Sequence, residues 1–266
     1  MKKTSSISLL IILVLICTLC SCNQQTSTPY HITPIPDNSS PKFMPTALFA
    51  QATDSMLQSL GVENGIPSSV CAILVETDGK QILFDTGNGV EDSQLMPTLK
   101  AKGIEANDID YIFITHLHGD HIEGLTQNES AVFPNAQLYI PQAEYDGWMK
   151  MEETKTTKIR NLIHIYSNKI TLFDDKTPLP HGISSIATYG HTPGHTIYQL
   201  GQNLIVGDIM HGVALQIANP EICARYDMDI EKAIESRKAV IKLAKDKGLV
   251  LYGMHFPEPY QLNFAK

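Results

Sequence analysis

Residues 115–121 read Thr-His-Leu-His-Gly-Asp-His, and no other stretch constrains the chain so tightly. An apolar run, Tyr111-Ile112-Phe113-Ile114, leads straight into it. The pattern predicts a strand that stops where a loop begins; the strand end is rigid and the loop is free to aim side chains. His116 and His118 are two apart, so in extended backbone both point to one side. Asp120 and His121 follow in the turn and address a second point. Imidazole and carboxylate are the usual ligands of hydrolytic zinc. Four such groups within six residues exceed what one zinc with an open position needs, and suggest two adjacent ions. The bland alternative is a His-rich surface loop. Three further segments weigh against it: Gly190-His191-Thr192-Pro193-Gly194-His195, Val206-Gly207-Asp208-Ile209-Met210-His211 and Gly253-Met254-His255. Each follows a strand-like run and so sets a candidate ligand at a strand end.

The series His116-x-His118-x-Asp120-His121, His191, Asp208, His255 resembles the metallo-β-lactamase-fold hydrolase superfamily, over about residues 70 to 256. Asp85, in Phe84-Asp85-Thr86-Gly87, matches that family's early Asp, which supports the site from behind the ligands. The resemblance implies an α/β fold: a four-layer αββα sandwich, two mixed sheets face to face with helices outside. It implies one ion on His116, His118 and His191, a second on Asp120, His121 and His255, and Asp208 between them. The expected cofactor is two Zn2+, with Mn, Fe or Co also suited to such ligands. A hydroxide bridging the ions would be the nucleophile, since zinc lowers the pKa of bound water to roughly 7. Asp120 and Asp208 would orient it and pass a proton to the leaving group. His195, four residues after a ligand, is expected to orient neighbours or pack. His211 stands where the related acyl-homoserine lactonases place a carbonyl-polarising Tyr, and is a candidate catalytic residue lining the pocket. His31, His164 and His181 have no motif around them.

Within the superfamily, a bridging Asp208 argues against a true metallo-β-lactamase, whose comparable position is commonly Cys or Ser. Glyoxalase II carries a helical domain after its last ligand, and only eleven residues follow His255 here. The run Gly207 to His211, then Pro220, Tyr226-Asp227-Met228-Asp229, Arg237 and His255-Phe256-Pro257, resembles the branch of methyl parathion hydrolase and the N-acyl-homoserine lactonases. The expected substrate is a small ester or lactone. Phosphotriesterase and β-lactamase- or thioesterase-like activity are the alternatives, and a zinc-binding lipoprotein without catalysis is a third class. With every ligand position filled, that third class is disfavoured. No Gly-x-Ser-x-Gly elbow offers a rival nucleophile. Pocket walls are expected from the Phe43–Gly61 segment, the Tyr145–Trp148 region and the Met210–Tyr226 loop.

The chain starts Met1-Lys2-Lys3-Thr4, then Ile7 to Cys20 is almost wholly apolar and ends Leu19-Cys20-Ser21-Cys22. A short basic start before a short apolar run is a secretory signal, too short for a confident membrane span. The end resembles the bacterial lipobox, which implies a signal peptide over 1–21, cleavage before Cys22 and lipidation of its thiol. Residues 22–42 then read as a flexible tether, and 43–266 as the hydrolase domain. The expected location is the bacterial cell envelope, on its periplasmic or extracellular face, with the lipid at Cys22 as the membrane contact. Plain secretion with a free Cys22 is the alternative. The net charge of −8 argues against nucleic acid as a partner. A homodimer stays open. Cys71 and Cys223 read as small buried hydrophobes, with a disulfide between them undecided.

Strand-like runs are expected at Ser69–Glu76, Lys80–Asp85, Tyr111–Thr115, Gln137–Ile140, Ser184–Tyr189, Ile197–Leu200, Asn203–Val206 and Leu249–Met254. Helical periodicity covers Ser93–Lys102 and Asp229–Lys247, the latter stopped by Gly248.

Overall fold

The computed structural model describes residues 29–265. Cys22, the signal segment and the start of the expected tether lie outside the described residues. Two mixed sheets dominate the described residues. The first runs, edge to edge, through His31–Pro36, Cys71–Thr77, Lys80–Phe84, Tyr111–Phe113, Gln137–Pro141 and Ile170–Phe173. Its first three strands pair antiparallel and the rest parallel. The second runs through Ser184–Ala187, Thr196–Leu200, Asn203–Ile205, Val250–Tyr252 and Gln261–Asn263.

The strand Cys71–Thr77 explains why the layers form. Its side chains alternate sides, as extended backbone dictates. Cys71, Ile73 and Val75 enter the core between the sheets, where they meet Tyr198, Leu200 and Ile205 of the second sheet. Ala72 and Leu74 face the other way, onto a core covered by the helices Leu95–Ala101, Gln142–Met149 and Glu153–Ile165. The helix Ile230–Lys247 covers the second sheet through Val240, Ile241 and Ala244. Burial on both faces accounts for the near-continuous apolar runs of the central strands. The aromatic rings of Phe84, Phe113 and Tyr198 lie 5.1–5.4 Å apart between the sheets. Tyr198 also donates to the carbonyl of Ile114 at 2.6 Å, a bond from one sheet to the strand end of the other.

The expected tether needs correction at its distal part. Residues 31–36 pair residue by residue with Cys71–Glu76, and Ile35 is fully buried. Lys42–Met44 pairs with Ile66–Ser68 in a separate ribbon. Three prolines and a polar composition disguised this segment. Pro34 and Pro36 are tolerated because the strand lies at a sheet edge, where an N–H need not be supplied. The ordered domain therefore begins well before residue 43. The strand Ile170–Phe173 and the helix Glu153–Ile165 were also absent from the sequence reading. Cys71 and Cys223 are both buried and both free thiols, so no disulfide joins them. Among the described residues, no helix is long and apolar enough to cross a membrane.

Candidate metal centre

The expected strand Tyr111–Thr115 ends early, at Phe113, and the chain then turns through Thr115 to His121. Asp85 controls that turn. It adopts a left-handed backbone (φ 55°), uncommon for a residue with a side chain and found where surroundings impose it. Fully buried, its carboxylate accepts from the Thr115 N–H at 2.8 Å, the Thr115 hydroxyl at 2.6 Å and His121 Nδ1 at 2.6 Å. Burial pushes the Asp85 carboxyl up, and His121 beside it pulls it back.

The seven side chains singled out in the sequence converge on one floor. His116 Nε2 lies 3.0 Å from His118 Nδ1, and His191 Nε2 lies 3.2 Å and 3.0 Å from those two atoms. Asp208 Oδ2 faces this group, 3.3 Å from His191 and 3.7 Å from His116. On its other side, Asp208 stands 3.2 Å from His121 Nε2 and 3.1 Å from His255 Nε2. Asp120 reaches those rings at 3.7 Å and 3.5 Å. Among the described residues four overlapping groups of metal-ligand atoms result, each within 4.8 Å: His116, His118, His191, Asp208; Asp120, His121, His255; His191, His211, Asp227; and Asp208, His211, His255.

The outer ring nitrogens set the tautomers. His121 Nδ1 donates to Asp85, His191 Nδ1 to Asp227 at 3.0 Å, and His255 Nδ1 to the Ser69 carbonyl at 2.8 Å. The Thr115 hydroxyl is spent on Asp85, so at 3.1 Å it accepts from His116 Nδ1. In the neutral rings, the Nε2 atoms of all four are then bare lone pairs turned toward one another and toward carboxylates. Lone pairs cannot satisfy each other; a cation can satisfy them all. His121 Nε2 and Asp208 Oδ1 are buried with no hydrogen-bond partner, as unfilled ligand atoms would be. The electrostatics agree. Burial disfavours charge on His191, yet Asp208 and Asp227 outweigh it and raise the ring to about 9. Burial likewise works against His121, and Asp208 and Asp85 overcome it. His118 goes the other way, lowered to about 3 by burial and then by His191. The pocket demands positive charge, and its donor set of imidazole and carboxylate fits divalent ions of the zinc type.

Supporting groups hold the loops. His195 is buried; its Nε2 accepts the Asp208 backbone N–H at 3.0 Å, and its Nδ1 meets the Thr188 hydroxyl at 2.8 Å. That contact needs Gly207, whose φ is +49° and whose Cβ would lie 2.6 Å from His195 Nε2. Two buried carboxylates were not foreseen as site residues. Glu144 accepts from Leu117 N, Trp148 Nε1, Thr192 Oγ1 and Gly194 N at 2.6–2.9 Å, clamping the two ligand-bearing loops together. Asp227 backs His191. Glu144 carries no local sequence signal and Asp227 stands only within the branch resemblance, with no role attached, because each acts through contacts distant in the chain.

A cavity of about 350 Å³ opens over the floor, walled by Phe43, Met44, Pro45, Leu48 and Tyr226. His211 lies on that floor, its Nε2 3.2 Å from Asp208 Oδ2 and its ring 5.5 Å from Tyr226. The Tyr145–Trp148 region does not line this cavity. Trp148 packs edge-on behind His118, at 5.6 Å, because its indole N–H is tied to buried Glu144.

Comparison with known proteins agrees with this geometry. The family model of the metallo-beta-lactamase superfamily matches residues 65–255, and the chain belongs to that superfamily. An N-acyl homoserine lactonase of a Bacillus species is 31% identical over 219 residues, 69% of this chain and 80% of that protein. The N-acyl homoserine lactonase AiiA of Bacillus thuringiensis subsp. kurstaki is 28% identical over 69% of this chain and 80% of its own length. Among solved structures, the hydrolase AbOPH of the beta lactamase superfamily superposes with TM-score 0.79 at 28% identity, covering 88% of this chain and 89% of that one. AidC, a dizinc quorum-quenching lactonase, shares the fold with TM-score 0.78 at 24% identity, covering 88% and 90%. The chain is a metal-dependent hydrolase acting on ester bonds.

Proposed function

We propose that this protein hydrolyses small esters or lactones with two zinc ions, one held by His116, His118 and His191, the other by Asp120, His121 and His255, and Asp208 between them. The observation that carries this reading is the ring of lone pairs around Asp208 at the floor of a half-apolar cavity. The lactonase relatives make a lactone the first substrate to try. Bound there, divalent ions supply Lewis acidity and a water acidic enough to attack at neutral pH. The chain's own residues do the rest. Phe43, Met44, Pro45 and Leu48 take the acyl arm of the substrate out of water. Asp120, whose side chain is 31% exposed, is the carboxylate that reaches the cavity with room to orient the attacking water and hand its proton to the leaving alkoxide. His211 Nε2 stands beside Asp208 where it can meet a substrate oxygen.

The test is a hydrolysis screen of the zinc-loaded protein over lactones, aryl esters, a phosphotriester, a cephalosporin and a glutathione thioester. Lactone or aryl-ester turnover above the others is expected, with loss on chelation. Turnover of the phosphotriester or cephalosporin alone would replace the substrate class. Lipidation of Cys22 and an envelope location are part of the same reading and rest on Leu19-Cys20-Ser21-Cys22. Metabolic labelling with a fatty acid should mark the wild type and not Cys22→Ala; an unlabelled wild type refutes the anchor.

A further inference from the structure

The helix Ile230–Lys247 carries a charge on its inner face. Arg237 is 1% exposed. A buried guanidinium destabilises a fold unless its N–H groups find acceptors. Here Nε donates to the Ile209 carbonyl at 2.8 Å. One terminal nitrogen donates to the carbonyls of Pro220 and Ile222 at 2.8 Å and 3.0 Å, and the other to Asp227 Oδ2 at 3.0 Å. These acceptors share a purpose. Ile209 follows Asp208, Pro220 and Ile222 close the loop that starts there, and the other oxygen of Asp227 accepts from His191.

We propose that Asp227 and Arg237 are a positioning pair for the metal centre. Asp227 fixes the tautomer and aim of His191, and Arg237 holds Asp227 and the 209–222 loop in register with it. This rests on the metal-centre reading above. A carboxylate behind a ligating imidazole keeps the proton on the far nitrogen and strengthens the near one as a donor to metal. The guanidinium fork is required because four acceptors lie in different directions; a lysine ammonium is one point of charge and cannot reach them all. The bland alternative is an ion pair that only fastens helix to loop. Such a pair would lower stability with and without metal alike, and leave metal affinity untouched.

Asp227→Asn separates the two. It keeps size and an acceptor for His191, and removes the charge. Zinc affinity is measured by competition with a chromophoric chelator, and the thermal midpoint of the metal-free protein alongside. Asp227→Asn should weaken one of two zinc ions about tenfold and Asp227→Ala up to about a hundredfold. The metal-free midpoint of Asp227→Asn should fall by several degrees, because buried Arg237 loses its counter-charge, so zinc affinity is read on the folded protein well below that midpoint. Arg237→Lys should weaken the same ion. Wild-type zinc affinity in folded Asp227→Asn overturns the pair, whatever that variant loses in metal-free stability. Should Asp227→Ala fail to fold, Asp227→Asn decides. A wild type that binds no zinc overturns the metal-centre reading and the pair with it; a wild type that binds two, with Asp227→Asn unchanged, overturns the pair alone.

Discussion

Four of the five candidate ligand histidines, His116, His121, His191 and His255, have a fixed far side, and those far sides were the least legible part of the sequence. The ligand-type residues themselves announce their chemistry: His116, His118, Asp120 and His121 cluster within six positions, and they meet in space. Glu144 does not announce its chemistry, since a carboxylate among ordinary helix residues reads as solvated surface, and Asp227 is marked only by the branch resemblance, which gives it no role. Only the fold brings Asp227 to His191, 36 residues away, and Glu144 to Gly194, 50 residues away. Asp227 has a measurable signature. Burial would raise its carboxyl, but His191, His211 and Arg237 hold it down at about 2, below the usual 3.8. A depressed carboxylate stabilises the fold above its unfolded value, and that contribution is lost as pH falls from about 4 toward 2, on the order of 2 kcal/mol. Urea unfolding of the metal-free protein across this range should show the decline in wild type and a flatter profile in Asp227→Asn. Identical acid profiles would mean that Asp227 is not held ionised by these partners.

At the scale of elements, apolar runs and turn cues located the central strands to within a few residues. Their ends moved where loop geometry took over. The expected strand Ser184–Tyr189 ends at Ala187, where the chain enters the loop that carries His191; the Thr188 N–H still reaches the His195 carbonyl at 2.9 Å, in register with the ladder. The expected helix Asp229–Lys247 starts one residue later because the Asp229 side chain caps it, accepting from Lys232 N. The larger miss was the strand His31–Pro36, whose prolines and polar neighbours mask an edge position that tolerates both. This has a consequence for truncation. Removing residues up to 28 takes away the proposed anchor and should leave the thermal midpoint unchanged. Removing residues up to 42 should strip the edge from the first sheet, expose the Cys71–Thr77 strand and delete Asp37, which accepts from Asn88 N at 2.8 Å and from the Ser93 hydroxyl. A several-degree fall in midpoint and aggregation are expected. Equal behaviour of the two truncations would restore the longer tether.

For the whole molecule, the sandwich and the centre have one origin. Strand ends at a common edge of the two sheets deliver Asp85, the 115–121 turn, the 188–195 loop, Asp208 and His255 to a single place. Residue types gave the class of chemistry from sequence alone, whereas the cavity walls depend on how loops pack and were only partly foreseen. The centre holds Asp85, Asp120, Asp208 and Asp227 against one buried guanidinium, so its charge is completed by protons or by metal. Asp208 is the residue on which the two-ion assignment turns, because it alone faces both histidine groups. Asp208→Ala leaves three imidazoles for the first ion and only Asp120, His121 and His255 for the second. The direct measurement is zinc per chain, by elemental analysis of wild type and Asp208→Ala after equilibration with zinc and removal of the excess. Close to two equivalents in wild type and at most one in Asp208→Ala are expected. Two equivalents in both, or one or fewer in wild type, would contradict a dinuclear centre bridged by Asp208.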